Sequence, residues 1–241
     1  MLGPDRRTMT RAEAEAAQID VGLRQHMLRV YNYMASGVAL TGIVAMVVAS
    51  TPALREAIFG TPLAWVVMLA PLAFILVLSF GIHRLSLFAT QALFWTFAAV
   101  MGLSLASIFL IYTGESIARV FFITAASFGA LSLWGYTTKR DISGWGSFLF
   151  IGLVGIIIAG LVNLFMQSSA LQFAISVIGV LIFAGLTAYD TQNIKNTYLT
   201  MRGTPGGEAW LEKGAVMGAL NLYLDFLNMF MFLLQFLGNR E

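Results

Sequence analysis

The chain has 241 residues, of which 59% are hydrophobic and only 11% are charged, and its mean hydropathy is +0.81. Soluble domains carry about 25% charged residues, so this composition excludes an ordinary soluble fold. The chain contains no cysteine, which excludes a disulfide framework and any cysteine-based metal site or nucleophile. The net charge of +2 comes from basic residues scattered over loops, so nucleic acid is not expected as a partner.

The first 27 residues are polar, and the first apolar run begins only after Arg29. This arrangement does not match a cleavable signal peptide. The part rich in Ala, Glu and Arg, from Arg11 onward, has the composition of a surface helix, but a solvated tail is the preferred interpretation. The sequence therefore predicts a cytoplasmic tail over 1–27 and a single membrane domain over 28–238.

Seven apolar segments are long enough to cross a bilayer core of about 30 Å, which requires about 20 apolar residues per helix. They cover residues 28–50, 61–82, 86–112, 116–137, 144–166, 169–194 and 214–237. The pattern predicts an all-α integral membrane protein with seven transmembrane helices. Pro71 predicts a kink in the second span. Small residues at 152 and 155, and at 125 and 129, predict close packing between helices.

The distribution of Lys and Arg over the loops predicts the orientation. With a cytoplasmic N-terminus, 11 of the 14 basic residues fall on the cytoplasmic side and three on the other. Cytoplasmic loops are enriched in Lys and Arg, so the N-terminus is predicted inside and the C-terminus outside. The 196–213 loop, which contains the turn sequence TPGG at 204–207, is then cytoplasmic.

Two acids, Asp190 and Asp225, lie inside predicted spans, whereas the other ten acids lie outside them. An ionisable side chain at bilayer depth costs several kcal/mol unless it is paired or hydrated, so both are candidate functional residues. At 1.5 Å per residue, Asp190 lies about 6 Å from the end of its span and Asp225 about 16 Å from the start of its own. This spacing allows contact without requiring it, and Asp190 also suits an ordinary helix end near the headgroups.

Polar residues accompany both acids at helical spacing. Because lipid cannot satisfy polar groups, the polar stripe on the seventh span is expected to face the bundle interior. Gln235 extends that stripe by two further turns. The residues predicted to support the acids are Thr187, Asn193, Asn221 and Asn228. Arg84, on the same side of the membrane, is a candidate partner of Asp190 or an interfacial anchor. His26 and His83 lack companions at ligand spacing, and no cofactor is expected.

Two segments carry a family resemblance: 183–194 (FAGLTAYDTQNI) and 222–230 (LYLDFLNMF). They resemble the signature of the Bax-inhibitor family of membrane proteins, some of whose bacterial members are associated with modulating a membrane-bound AAA protease. The resemblance implies seven helices, with the last one central and wrapped by the other six. It implies that Asp190 and Asp225 match paired aspartates that sense pH in members described as calcium leak channels. Arg84 matches a basic latch for the sixth-span acid.

The chain departs from the family pattern in two places. Some members carry an acid inside the second span, whereas this chain has none between Glu56 and Glu115, and Ala73 lies near the expected position. This departure weakens the expectation of calcium conduction. The basic C-terminal tail of many eukaryotic members is also missing, which favours a bacterial member in the inner membrane.

Three functions remain open at this point. The leading prediction is a pH-sensitive cation leak channel, most favourably for Ca²⁺. Two carboxylates in one desolvated site cannot both ionise cheaply, so they would share a proton or make transient contact with a divalent cation. The second is a regulatory membrane protein that modulates a protease or a stress pathway without conducting ions. The third, an intramembrane aspartyl protease, lacks the expected Gly-x-Gly before Asp225 and a later Pro-Ala-Leu, so no enzyme is predicted.

Overall fold

The computed structural model describes residues 11–81 and 84–239, with side chains from Ile19 onward except 78–80. Residues 1–10, His83 and Arg240, which enter the sequence predictions above, lie outside the described part. The helices are α1 (Arg11–Ser50), α2 (Pro52–Phe59), α3 (Leu63–Gly81), α4 (Leu87–Leu105), α5 (Gly114–Thr137), α6 (Trp145–Met166), α7 (Ser169–Met201) and α8 (Gly207–Leu237). A 3₁₀ turn at Ala106–Leu110 continues α4.

The predicted all-α membrane fold is confirmed over the described residues. Six helical stretches are long and apolar enough to cross a membrane. A seventh is obtained if the bent pair α2–α3 forms one span, with an angle of 79° between its two parts. The sharp bend therefore lies near Gly60, whereas α3 continues through Pro71.

Helix α8 forms the centre of the bundle. Two thirds (67%) of its most apolar stretch is buried, against 17–33% for the other five long spans. It packs against α1, α4, α5 and α7, while α3 packs on α4 and α6 packs on α7. The central position of the last helix agrees with the resemblance, but four helices surround it and α3 and α6 lie further out.

Three helices extend beyond the predicted spans at one end of the bundle. Helices α1, α7 and α8 have 40, 33 and 31 residues, or about 60, 50 and 46 Å at 1.5 Å per residue. These lengths exceed the bilayer core of about 30 Å. We call the end with the α7–α8 turn (202–206) the loop end, and the opposite end, where α8 finishes, the far end.

The extensions correct two predictions. Residues 19–27 are not a solvated tail, because Leu23 and Met27 are buried and the His26 ring lies 5.1 Å from that of Tyr198. The loop predicted over 196–213 shrinks to 202–206, where Gly203 and Gly206 adopt the positive φ angles that turn the chain. Amphipathic packing sustains these helices beyond the lipid-spanning stretch, where hydropathy alone no longer detects them.

Glycine positions also differ from the packing prediction. A Cβ on Gly152 would meet Ile182, so α6 and α7 approach closely there, but Gly155 and Gly129 face open space. Helix α5 approaches α7 closely at Gly135, where a Cβ would meet the backbone carbonyl of Ala188. This contact lies half a turn from Asp190 and fixes α5 against the segment of α7 that carries the acid.

Candidate functional site

Asp190 on α7 and Asp225 on α8 lie near each other across the contact between these two helices. Helices α7 and α8 run antiparallel and form the most extensive helix pair in the described chain. The Asp190 and Asp225 carboxyl groups are close enough to influence each other electrostatically. Asp225 is only 4% exposed, while Asp190 is partly buried. Asp225 therefore lies on the central helix of the fold, and Asp190 lies on the neighbouring helix α7.

The two carboxyl groups have few hydrogen-bond donors around them. Ionised carboxylates only accept hydrogen bonds, so two of them cannot bond to each other directly. Among the described residues, no donor reaches Asp225 Oδ2, which is buried. A proton held between the two carboxyl groups would supply a donor. An unpaired carboxylate oxygen in this interior would otherwise carry a desolvation cost of about 1–3 kcal/mol or more.

The predicted supporting residues divide into two groups. Thr187 is fully buried and its Oγ1 donates to Phe183 O at 2.8 Å, while Asn228 Nδ2 donates to Leu224 O at 2.8 Å. Both side chains therefore donate their hydrogen bonds to backbone carbonyls of their own helices. Asn193 and Asn221 are exposed, so the expectation that the whole stripe faces the interior is wrong. The reason is that Asn221 lies on the face of α8 that lines a cavity, whereas its neighbours Leu220 and Leu222 on the other faces are buried.

The two exposed asparagines line a cavity at the loop end. This cavity has a volume of about 130 Å³ and lies between α7, α8 and the N-terminal part of α1. Its polar lining consists of His26, Asn193, Thr197 and Asn221. At about 30 Å³ per molecule, such a volume holds roughly four waters. On both helices the lining faces continue into the turn that carries an acid, since Asn193 follows Asp190 by three residues and Asn221 precedes Asp225 by four.

Arg84 does not join the acid pair in this structure. It is exposed in the turn between α3 and α4, where its backbone N–H donates to Gly81 O at 2.8 Å. Its assignment as a latch stays a prediction. No group of three or more His, Asp or Glu side chains that could hold a metal occurs within residues 11–81 and 84–239.

A hydroxyl network that the sequence analysis missed lies beside the acids. Tyr31 Oη is 2.6 Å from Ser132 Oγ, which is 2.9 Å from Thr191 Oγ1. Thr191 directly follows Asp190 and donates to Thr187 O at 2.8 Å. The chain of hydroxyls links α1, α5 and α7 at the level of the site. Its only sequence signal is a polar residue in each of three apolar spans.

Two further polar links hold α8 in place. Tyr223 Oη lies 2.6 Å from Thr41 Oγ1, which donates to Ala98 O at 2.8 Å and so joins α8, α1 and α4. Nearer the far end, Gln235 Oε1 accepts hydrogen bonds from Gln172 Nε2 at 2.8 Å and Ser176 Oγ at 3.3 Å. Gln235 was expected to extend the acid stripe, and it serves as a tether to α7.

Comparison with known proteins now identifies the family. Residues 23–241 match the family model described as inhibitor of apoptosis-promoting Bax1. The chain belongs to the Bax-inhibitor family. It is 46% identical to the inner membrane protein YbhL of Escherichia coli K12, over 91% of this chain and 94% of that protein.

Other relatives match this chain over nearly the whole length of both proteins. A protein of Rickettsia prowazekii is 48% identical over 92% of both chains. A membrane protein of Streptococcus pyogenes is 36% identical over 93% of this chain and 96% of its own. These matches agree with an integral membrane protein of the bacterial type.

Proposed function

We propose that this protein is a pH-sensitive cation leak channel of the bacterial inner membrane, in which the Asp190–Asp225 pair acts as the proton-operated gate. The observation that supports the proposal is the nearness of two acids on packed neighbouring helices, one of them buried on the central helix. Structural acids at this depth are rare because of their cost, and acids inside membrane spans commonly mark ion or proton pathways.

The proposed gate has two states set by protonation. With one proton shared, the carboxyl groups hold α7 and α8 together through a hydrogen bond. With both ionised, the two negative charges repel each other across a low-dielectric gap. The titration belongs to the pair and not to either residue, so a single change of pH alters the contact between the two helices.

The cavity at the loop end supports access to the pair from one side of the membrane. Its polar lining lies one turn from each acid, and water in it would carry protons or a hydrated cation to that depth. Orientation by the distribution of basic residues makes this the cytoplasmic side, with the C-terminus outside.

Calcium is the favoured ion because hard divalent cations prefer oxygen ligands. Ca²⁺ takes six to eight such ligands, whereas the pair supplies two carboxyl groups among the described residues. The site would therefore hold the ion only briefly and release it, which suits a leak and not a storage site.

Ion flux from purified protein in liposomes tests the proposal. The wild-type protein is reconstituted with a Ca²⁺-sensitive dye inside the vesicles, and entry is followed over a series of external pH values. We expect Ca²⁺ entry above that of protein-free vesicles, with a dependence on pH. Entry equal to that of protein-free vesicles at every pH would contradict a leak channel.

A second candidate function is a regulatory protein that binds another membrane protein, such as a membrane-bound protease, and conducts nothing. One observation favours it: α3 and α4 carry no acid, so the pair has no further carboxylate along these helices to pass a cation on. This function predicts that Asp190→Asn and Asp225→Asn leave partner binding unchanged, as measured by co-purification from the native membrane.

A further inference from the structure

A crevice runs along the bundle between α1 and α5. Both helices pack against α8, but they do not pack as neighbours in the described chain. The Tyr31–Ser132 hydrogen bond closes the crevice toward the loop end. From there it continues along α1 to Met46 and ends beside Gly114 and Phe109 near the far end.

The crevice is almost wholly apolar and open along one side. It consists of two adjoining cavities of about 590 and 290 Å³ that share Val38, Gly42, Phe121 and Phe226. Each is larger than the cavity of about 150 Å³ that takes up benzene in an engineered protein core. Ile43 and Phe122 at its rim are 56% and 70% exposed, so the crevice opens toward the lipid.

We propose that this crevice binds one acyl chain of a phospholipid from the surrounding bilayer. Its lining residues offer contacts to methylene groups and no charged partner to a headgroup at depth. An empty apolar crevice facing lipid would forfeit the dispersion contacts of its walls, and these are recovered when a chain enters.

The shape of the crevice favours an acyl chain over a helix. Its floor is formed by Phe226, Leu227 and Phe230 of α8, which are only 4–8% exposed. The rings of Phe121 and Phe128 on the α5 wall pack against this floor. The walls must therefore stand close together above the floor. An α-helix with side chains is about 10–12 Å across, and it could not reach these residues between such walls.

The bound chain would contact the helix that carries the acid pair, because Phe226 directly follows Asp225. The proposal does not depend on ion conduction, since it follows from the packing of α1, α5 and α8 alone.

Gly42 provides the test, because a side chain there would enter open space within the crevice. Gly42→Leu fills the crevice. Gly155→Leu makes the same change on α6, also into open space and facing away from the crevice. Each variant is extracted in mild detergent, and its intact mass with any retained lipid is measured by native mass spectrometry.

We expect the wild-type protein and Gly155→Leu to retain one phospholipid, and the fraction retained by Gly42→Leu to fall about tenfold, equivalent to 1.4 kcal/mol of binding free energy. No retained phospholipid in the wild type, equal retention in Gly42→Leu, or a mass corresponding to a second copy in the crevice would overturn the proposal.

A measurement on the wild-type protein covers the case in which Gly42→Leu fails to fold. Phospholipids with a photoactivatable acyl chain are cross-linked in native membranes, and the labelled peptides are mapped. We expect labelling concentrated on residues 34–46 of α1 and 117–128 of α5. Labelling spread evenly over the lipid-facing surfaces, including α6, would contradict a specific site.

Discussion

Asp225 is the residue on which the site depends. It is buried on the central helix, and one of its oxygens lacks a donor unless a proton is shared with Asp190. Asp225 could be identified from the sequence because acids inside apolar spans are rare and costly, and they are retained mostly where they have a function. The hydroxyl network beside it could not be predicted in the same way. Ser and Thr in helices often bond to their own i−4 carbonyl, as Thr191 does, and so indicate no particular partner.

Asp225→Asn should leave the protein folded and at least as stable as the wild type. The amide keeps the shape of the side chain and supplies a donor to Asp190, while the cost of burying an acid is removed. Unfolding in detergent, followed by circular dichroism, measures this. A decrease of several kcal/mol in the free energy of unfolding would show that the carboxyl group of Asp225 stabilises the fold, which contradicts this prediction.

Gln192 is a structural residue close to the site. Its Oε1 accepts from Ile142 N at 2.9 Å and its Nε2 donates to Arg140 O at 2.8 Å, which fastens the α5–α6 connection to α7. Gln192→Leu should cost about 1–3 kcal/mol, because the buried Ile142 N–H loses its partner. The same unfolding assay tests this, with Gln25→Leu at an exposed position of α1 as the control. Equal stability of the two variants would contradict this role.

At the scale of elements, the sequence located every long apolar helix but misplaced several ends. Hydropathy reports which residues suit lipid, whereas α1, α7 and α8 continue beyond the predicted spans and pack on one another there. The Thr204–Gly207 turn was predictable because Gly and Pro mark it. The direct neighbours of α8 were not, since helix contacts in lipid depend on small residues whose partners the sequence does not name.

The contact of α5 with α7 gives a test at this scale. A Cβ on Gly135 would press against the Ala188 carbonyl, so Gly135→Ala should destabilise the protein by about 1–3 kcal/mol through overpacking. Gly129→Ala on the same helix enters open space and should be neutral or slightly stabilising. Thermal unfolding of both variants provides the comparison. A neutral Gly135→Ala would show that the two helices can separate without cost.

The whole molecule has two distinct ends, and the polar-lined cavity beside the acids lies toward the loop end. Lys139, Arg140, Lys195 and Arg202 all lie at this end, which is why it is predicted to face the cytoplasm. At the far end, α8 finishes beside the start of α5, where Thr113 N donates to Asn239 O at 3.2 Å. This places the end of α8 at the end of the bundle opposite these basic residues.

The absence of native cysteines makes the orientation measurable. Pro205→Cys in the α7–α8 turn should react with a membrane-impermeant maleimide only after the cells are permeabilised. Gln167→Cys, in the α6–α7 connection at the far end, should react in spheroplasts without permeabilisation. The reverse pattern would invert the proposed topology and place the cavity outside the cell.

The most direct test of the acid pair is the pH profile of Ca²⁺ flux in liposomes for Asp225→Asn. One carboxyl group alone has no like-charged partner with which to share a proton, so the coupled titration is lost. Asp141→Asn is the matched control. Asp141 is exposed, and its Oδ1 accepts a hydrogen bond from the backbone N–H of Ser143 at 2.9 Å. This hydrogen bond lowers the pKa of Asp141. We predict that Asp225→Asn removes most of the pH dependence and that Asp141→Asn keeps the wild-type profile. A wild-type profile in Asp225→Asn would show that the acid pair is not the pH sensor.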